Sequence, residues 1–158
     1  MMHATIDTPM GPVAISWKGR TLIGVDLEPD GAHCGAELPQ AIADQLNAYF
    51  LDGSYHFDLP IDLQGTLFQR KVWRALRAIE PGHTRTYGEL ARELGTSPRA
   101  LGGACRANPC PIVVPCHRVV AADGLGGFVG DTSGRKLEVK RWLLEHEGVA
   151  FSFISAKT

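Results

Sequence analysis

The stretch Thr86-Tyr87-Gly88-Glu89-Leu90-Ala91-Arg92-Glu93-Leu94-Gly95-Thr96-Ser97-Pro98-Arg99-Ala100-Leu101-Gly102-Gly103-Ala104-Cys105-Arg106-Ala107 decides how this chain is read. Thr86 can accept from the first unpaired N–H groups of a helix, and Glu89, three residues on, completes a capping box. Tyr87, Leu90, Ala91 and Leu94 recur at spacings of three and four, the stripe of an amphipathic helix. Gly95 stops that helix. Ser97-Pro98 starts another, a cap residue followed by proline at the first helical position, where its missing N–H costs nothing. Two short helices and a tight turn form the pattern of a helix-turn-helix, its second helix running from about residue 98 to 107 and stopping before Asn108-Pro109.

That second helix is rich in small residues: Ala100, Gly102, Gly103 and Ala104. Glycine weakens a helix by roughly 1 kcal/mol against alanine, so something must come very close to this face. Two readings are open: tight helix packing inside the core, or close approach to a nucleic-acid backbone with Arg99 and Arg106 flanking the smooth surface. Charge bears on the choice. Residues 1–64 carry two basic side chains (Lys18, Arg20) against nine acidic ones, whereas residues 65–158 carry 14 against 8, so a net of −7 faces a net of +6. The C-terminal part is suited to phosphates.

Before this region, Val13-Ala14-Ile15-Ser16-Trp17 and Leu22-Ile23-Gly24-Val25-Asp26-Leu27, separated by turn formers, read as strands of a small antiparallel sheet. Ile42, Leu46, Tyr49 and Phe50 mark a helix. The stretch from Tyr55 to Gly65, with Pro60, reads as a strand or an extended linker, with the domain boundary near Gly65. Phe68, Val72, Trp73, Leu76 and Ile79 then line one helix face, which Pro81-Gly82 ends. The expected architecture is an α/β (α+β) N-terminal domain, residues 1–64, with a small antiparallel sheet plus helix, followed by a mainly α-helical domain, residues 65–158, containing the helix-turn-helix.

Several classes are excluded as expectations. There is no basic-then-apolar leader at the N-terminus and no run of roughly 18 apolar residues, so a cytoplasmic protein without membrane association is expected. Cys34, Cys105, Cys110 and Cys116 form no C-x-x-C pair, and free thiols in a reducing compartment follow. No glycine loop for phosphates and no metal-ligand spacing occurs in the N-terminal segment.

The chemistry sits in Pro111-Ile112-Val113-Val114-Pro115-Cys116-His117-Arg118-Val119, where prolines on both sides limit backbone freedom. A cysteine becomes a strong nucleophile when a base or cation supports its thiolate, and His117 is the neighbour that can help. Adjacent side chains of a strand point to opposite faces, so His117 serves Cys116 only if the chain turns there or a water bridges them.

Asn108-Pro109 followed by Ile112-Val113-Val114-Pro115-Cys116-His117-Arg118-Val119 resembles the active-site signature of the O6-alkylguanine-DNA alkyltransferases. The similarity reaches back through residues 87–91 and 99–103 and forward to residues 142–148, and more loosely to Thr8-Pro9-Met10-Gly11-Pro12 of a small N-terminal domain that is RNase H-like by the same resemblance. The resemblance implies one irreversible transfer of an alkyl group from O6-alkylguanine, and on a wider reading from O4-alkylthymine, onto Cys116. It further implies His117 as base through a water, Glu147 as third member of a relay, and Asn108 as brace of the turn. By the same token a flipped guanine meets Tyr87 at N3 and the Val119 carbonyl at its exocyclic amine, with Arg118, Phe128 and Val129 also at the substrate. Arg99, Ala100, Gly102, Gly103, Arg106 and Tyr87 face the minor groove of double-stranded DNA, with Arg99 filling the gap in the stack and little sequence preference. No cofactor, no metal and a monomeric state are implied.

The loop from Gly126 to Lys136 is longer than the family's substrate loop, and Phe128 stands where tyrosine is common; such a glycine-rich loop reads as a pocket lid or as a flexible connection. Cys105 and Cys110 match no role in the family and are read as packing. Two rivals remain at this point: a helix-turn-helix regulator without alkyl transfer, and a cysteine hydrolase with repeated turnover.

Overall fold

The computed structural model describes residues 1–29, 37–122, 124, 126 and 135–149. Three strands open it: β1 (Met2–Thr8), β2 (Gly11–Lys18) and β3 (Thr21–Asp26), paired antiparallel in that order. Val13, Ile15 and Trp17 alternate inward along β2, as the period of two requires, and Ala4 lies opposite Ile15. The register shifts between Ser16 and Trp17, a bulge in the β2–β3 pairing. Two chain segments cover the β3 edge. Leu22 donates to the Pro60 carbonyl and its own carbonyl accepts from Asp62, while Val25 donates to the carbonyl of Pro109 at 2.9 Å. The stretch after Tyr55 is therefore extended and joins the sheet only through a parallel bridge between Leu22 and Ile61.

Helix α1 (Gln40–Leu51) packs Ile42, Leu46 and Tyr49 onto the sheet. Helix α2 (Leu67–Arg77) starts from a complete capping box between Thr66 and Gln69. It buries Val72, Trp73 and Leu76, but Phe68, expected on the same stripe, is 36% exposed in the first turn. The helix also ends well before Pro81: Ala78 and Ile79 donate to Ala75 and Leu76 in a tightened last turn. This leaves the Ile79 carbonyl at the helix end available to another partner.

The helix-turn-helix is α3 (Tyr87–Leu94) and α4 (Pro98–Arg106), introduced by β4 (Arg85–Thr86). Its local signals are realised as physical contacts. Thr86 and Glu89 form the capping box, Gly95 takes the left-handed conformation at φ 70°, and Ser97 caps α4 with Pro98 in its first turn. Lys71 adds a hydrogen bond to the Leu94 carbonyl at the end of α3. Strand β4 pairs in parallel with β5 (Val119–Val120), which ties the entry of the motif to the chain just after Cys116. Helix α5 (Arg135–His146) closes the described chain, and Arg135 at its start donates to the carbonyls of Leu27 and Met10.

Apolar residues of both segments form one continuous core, from Ile15 and Trp17 through Tyr49 to Trp73, Leu101 and Leu143. Fully burying a side chain of the size of Ile15 contributes roughly 1.5–3 kcal/mol. Among the described residues no helix is long and apolar enough to cross a membrane.

Candidate active site

Residues 116–118 form a single 3-10 turn rather than a strand. The chain thus turns where the sequence required it to turn if Cys116 and His117 were to act together. The approach to the turn is tightly wound: Val114 donates to the Cys110 carbonyl and Cys116 to the Val114 carbonyl at 2.8 Å. Within it Ile112 has φ 79°, a left-handed conformation that costs a β-branched residue about 1–3 kcal/mol and persists only where its surroundings enforce it. Ile112 is buried, and Asn108 bonds the chain on either side of it, at Cys110 and Val114.

Every polar group of the Asn108 side chain is used. Its Nδ2 donates to the Val114 carbonyl at 2.8 Å and to Cys116 Sγ at 3.2 Å, and its Oδ1 accepts from the Cys110 N–H at 2.9 Å. The backbone N–H of Asn108 donates to Cys105 at the end of α4. One buried amide therefore fixes the turn, holds the sulfur and links both to the helix-turn-helix.

The carboxylate of Glu147, just past α5, meets four donors. Oε2 accepts from Tyr49 Oη at 2.6 Å, from Arg118 Nη2 at 2.9 Å, and lies 2.8 Å from His117 Nε2; Oε1 accepts from Arg118 Nε at 2.8 Å. Burial would push this carboxyl up, but His117 beside it and the Arg118 guanidinium hold it well below the usual carboxylate range. His117 is completely buried and is held below its ordinary 6.5, because burial outweighs the attraction of Glu147. The resting pair is thus a neutral imidazole on an ionised carboxylate, with Arg118 as the counter-ion.

Arg118 was expected at the substrate. Its place is different: it is buried, both ends of its fork are on Glu147, and Nη1 donates to the Ile79 carbonyl at 2.5 Å, the group that the early end of α2 exposes. Arg118 is thus a buried partner of Glu147.

Lys140 was missed by the sequence reading. Lysine is almost never fully buried, yet Lys140 is inaccessible in α5, donates to the Val119 carbonyl at 2.8 Å and sits 5.8 Å from the centre of the Tyr87 ring. Burial brings its ammonium down to about 8, opposed by the neighbouring thiols of Cys116 and Cys105. The sequence signal was its position: Val139, Lys140, Leu143 and Leu144 are the buried stripe of α5, whereas Trp142 and His146 turn toward α1. The Val119 carbonyl, expected to accept from the base, thus already accepts from Lys140.

Burial pushes the Cys116 thiol up to about 11, moderated by the Asn108 hydrogen bond and by Lys140. At pH 7 only about one molecule in ten thousand would carry the free thiolate. Attack therefore needs proton removal as part of the reaction. Tyr87, the first residue of α3, is also held above its ordinary value of 10.0 by burial, and keeps its hydroxyl proton at neutral pH. Cys105 and Cys110 are buried in the core, as their packing role requires.

The outer face of α4 carries Arg99, Ala100, Gly103 and Arg106 exposed, while Leu101, Ala104 and Cys105 point inward. A Cβ built on Gly102 or Gly103 meets nothing within 4 Å. Internal packing thus does not require these glycines. Phe128, Val129 and most of the glycine-rich loop lie outside the described residues, as does Cys34.

Both His117 and Glu147 release protons more readily in the folded protein than in the unfolded chain. The unfolded chain then binds more protons below 6.5 for the histidine and below 4.5 for the carboxylate, so stability is complete above 6.5 and is lost as pH falls. Thermal melting is expected to drop steadily from pH 7 to pH 4; a melting temperature flat over that range would contradict the assignment.

The chain is similar to known proteins over nearly its whole length. The family model described as 6-O-methylguanine DNA methyltransferase, DNA binding domain, matches residues 67–149. The chain is 42% identical over 159 residues to the methylated-DNA--protein-cysteine methyltransferase of Mycobacterium tuberculosis, with 93% of each protein covered. It is 38% identical to the protein of that name from Methanosarcina acetivorans, covering 94% of this chain and 99% of the relative. Among solved structures, Mycobacterium tuberculosis OGT in complex with DNA superposes with a TM-score of 0.77 at 40% identity, covering 98% of this chain and 95% of that one. With such identity sustained over nearly the whole chain, the protein belongs to the O6-methylguanine-DNA methyltransferase family.

Proposed function

We propose that this protein repairs DNA by taking the alkyl group of O6-alkylguanine irreversibly onto Cys116. The observation that carries the reading is the double tether of one short turn: Asn108 holds Cys116 Sγ at 3.2 Å while Glu147 holds the adjacent His117 at 2.8 Å. A thiol and a neutral imidazole on consecutive residues of one turn are each fixed by a buried partner, as a nucleophile and its base require.

In the step itself, Sγ attacks the alkyl carbon, the S–C bond forms, and the C–O6 bond breaks with its electron pair passing to the guanine. The thiol proton leaves through a water to His117, whose new charge Glu147 stabilises. The Tyr87 hydroxyl donates a hydrogen bond to N3 of the departing guanine anion, which takes up its proton from water as the imidazolium of His117 returns its own to water, and Lys140, beside that ring, favours negative charge on sulfur. The thioether product has no electrophilic carbonyl for water to attack, so one molecule reacts once.

The C-terminal part, residues 65–158, binds double-stranded DNA and carries the reaction, and residues 1–64 support it. Helix α4 lies in the minor groove, Arg99 occupies the space of the flipped base and Arg106 contacts phosphate. A cytoplasmic monomer is part of this reading.

The open space around Gly102 and Gly103 tests it. Gly103→Val is expected to leave the melting temperature unchanged or higher, since helical glycine is the poorer former, while weakening duplex binding about tenfold or more by holding the helix off the groove. Arg99→Ala is expected to slow repair more than it weakens binding. Unaltered DNA affinity in Gly103→Val, measured by fluorescence anisotropy, would remove α4 from the interface.

A further inference from the structure

The far side of the relay is built by the N-terminal segment. Tyr49 of α1 donates its phenol to Glu147 Oε2 at 2.6 Å, the same oxygen that faces His117 Nε2. Tyr49 is completely buried and packed by Phe57 at 5.2 Å and by His146 at 5.1 Å between ring centres. Its own backbone is clamped to α5, since His146 Nε2 lies 2.6 Å from the Tyr49 carbonyl. The next turn fits equally closely, because a Cβ at Gly53 would stand 2.0 Å from the His146 carbonyl. The hydroxyl is therefore held on the carboxylate and has no freedom to leave.

We infer that Tyr49 is a positioning residue of the alkyl transfer, through which the N-terminal segment sets the basicity of His117 by sharing the Glu147 carboxylate. Two donors compete for the charge of one oxygen. The more of it the phenol draws, the less remains to favour a proton on His117, and the imidazole stays neutral and able to accept the Cys116 proton at lower pH. The other groups facing this pair are Arg118 on both carboxylate oxygens, Lys140 from α5 and Cys116 on the turn. All of them are unchanged by substituting Tyr49. The phenol itself is held far above its ordinary value, by burial and by Glu147, and donates at every pH of interest.

The inference rests on the relay proposed above, and its test separates the two. In Tyr49→Phe the packing is kept and one donor is lost. The acidic limb of the single-turnover alkyl-transfer rate is expected to move up by about half to one pH unit. At a given pH on that limb transfer should then fall about threefold or more, while the rate at pH 8 stays within about twofold. The His117 ring followed by NMR in the same variant should titrate higher by the same amount, and this readout needs no activity, so it stands even if the relay has another use. Replacing Tyr49 by 3-fluorotyrosine, a stronger donor of nearly the same shape, should move both readouts down. An unmoved limb and an unmoved His117 titration, whatever the overall loss of rate or stability, would reduce Tyr49 to packing and overturn the inference.

Discussion

Glu147→Gln is expected to cost about 3–5 kcal/mol of stability and to slow alkyl transfer by roughly 10²–10⁴-fold. The carboxylate faces only donors: the Tyr49 hydroxyl, His117 Nε2 and two nitrogens of Arg118. An amide must point its own N–H groups at one of these, leaving a buried donor facing a donor. It also removes the only negative charge that offsets the buried Arg118 guanidinium among the described contacts of that residue. Breaking a buried pair from one side is the costly case, because the surviving charge has no water to return to. Denaturant melts report the first effect and single-turnover kinetics the second. A variant as stable as the parent would mean that Arg118 is not held as described.

Asn108→Ala is the second large effect. It leaves the Cys110 N–H buried without its partner, at about 1–3 kcal/mol, and takes from the Val114 carbonyl one of its two hydrogen bonds, the one from Cys116 remaining. The thiol loses its hydrogen bond as well, so its proton is held more tightly still. A loss of about 2–4 kcal/mol is expected from the orphaned N–H and the lost carbonyl bond together, with a fall of at least about tenfold in transfer rate measured on the remaining folded protein. Full activity in a stable Asn108→Ala protein would show that the turn holds its shape without the amide.

Much of this was legible in the sequence, for a physical reason. Thr86 with Glu89, Gly95 and Ser97-Pro98 act on neighbours three or four residues away, so their contacts can be read from spacing alone. The alternation along β2 is equally local. The turn at Cys116–Arg118 could be posed as a condition but not decided, because only the long-range bonds of Asn108 and Glu147 fix it. Tyr49, Arg118 and Lys140 gave no local sign of their partners. Tyr49 reads as one more apolar position of α1 and Arg118 as a basic residue beside the substrate, and nothing local marks Lys140. Each takes its role from an element far along the chain: Glu147 for the first two, Val119 and Tyr87 for the third. Small residues in α4 were visible, but choosing between packing and approach required the empty space beside Gly102 and Gly103.

The central claim is that Cys116 accepts the alkyl group once. The direct measurement mixes purified protein with excess duplex carrying a single O6-methylguanine and follows intact mass, the modified peptide and the number of lesions repaired. The account predicts one added methyl per chain, located on Cys116, with repair stopping at one equivalent. A chain that stays unmodified, a methyl group on another residue, or repair continuing beyond one equivalent would contradict it.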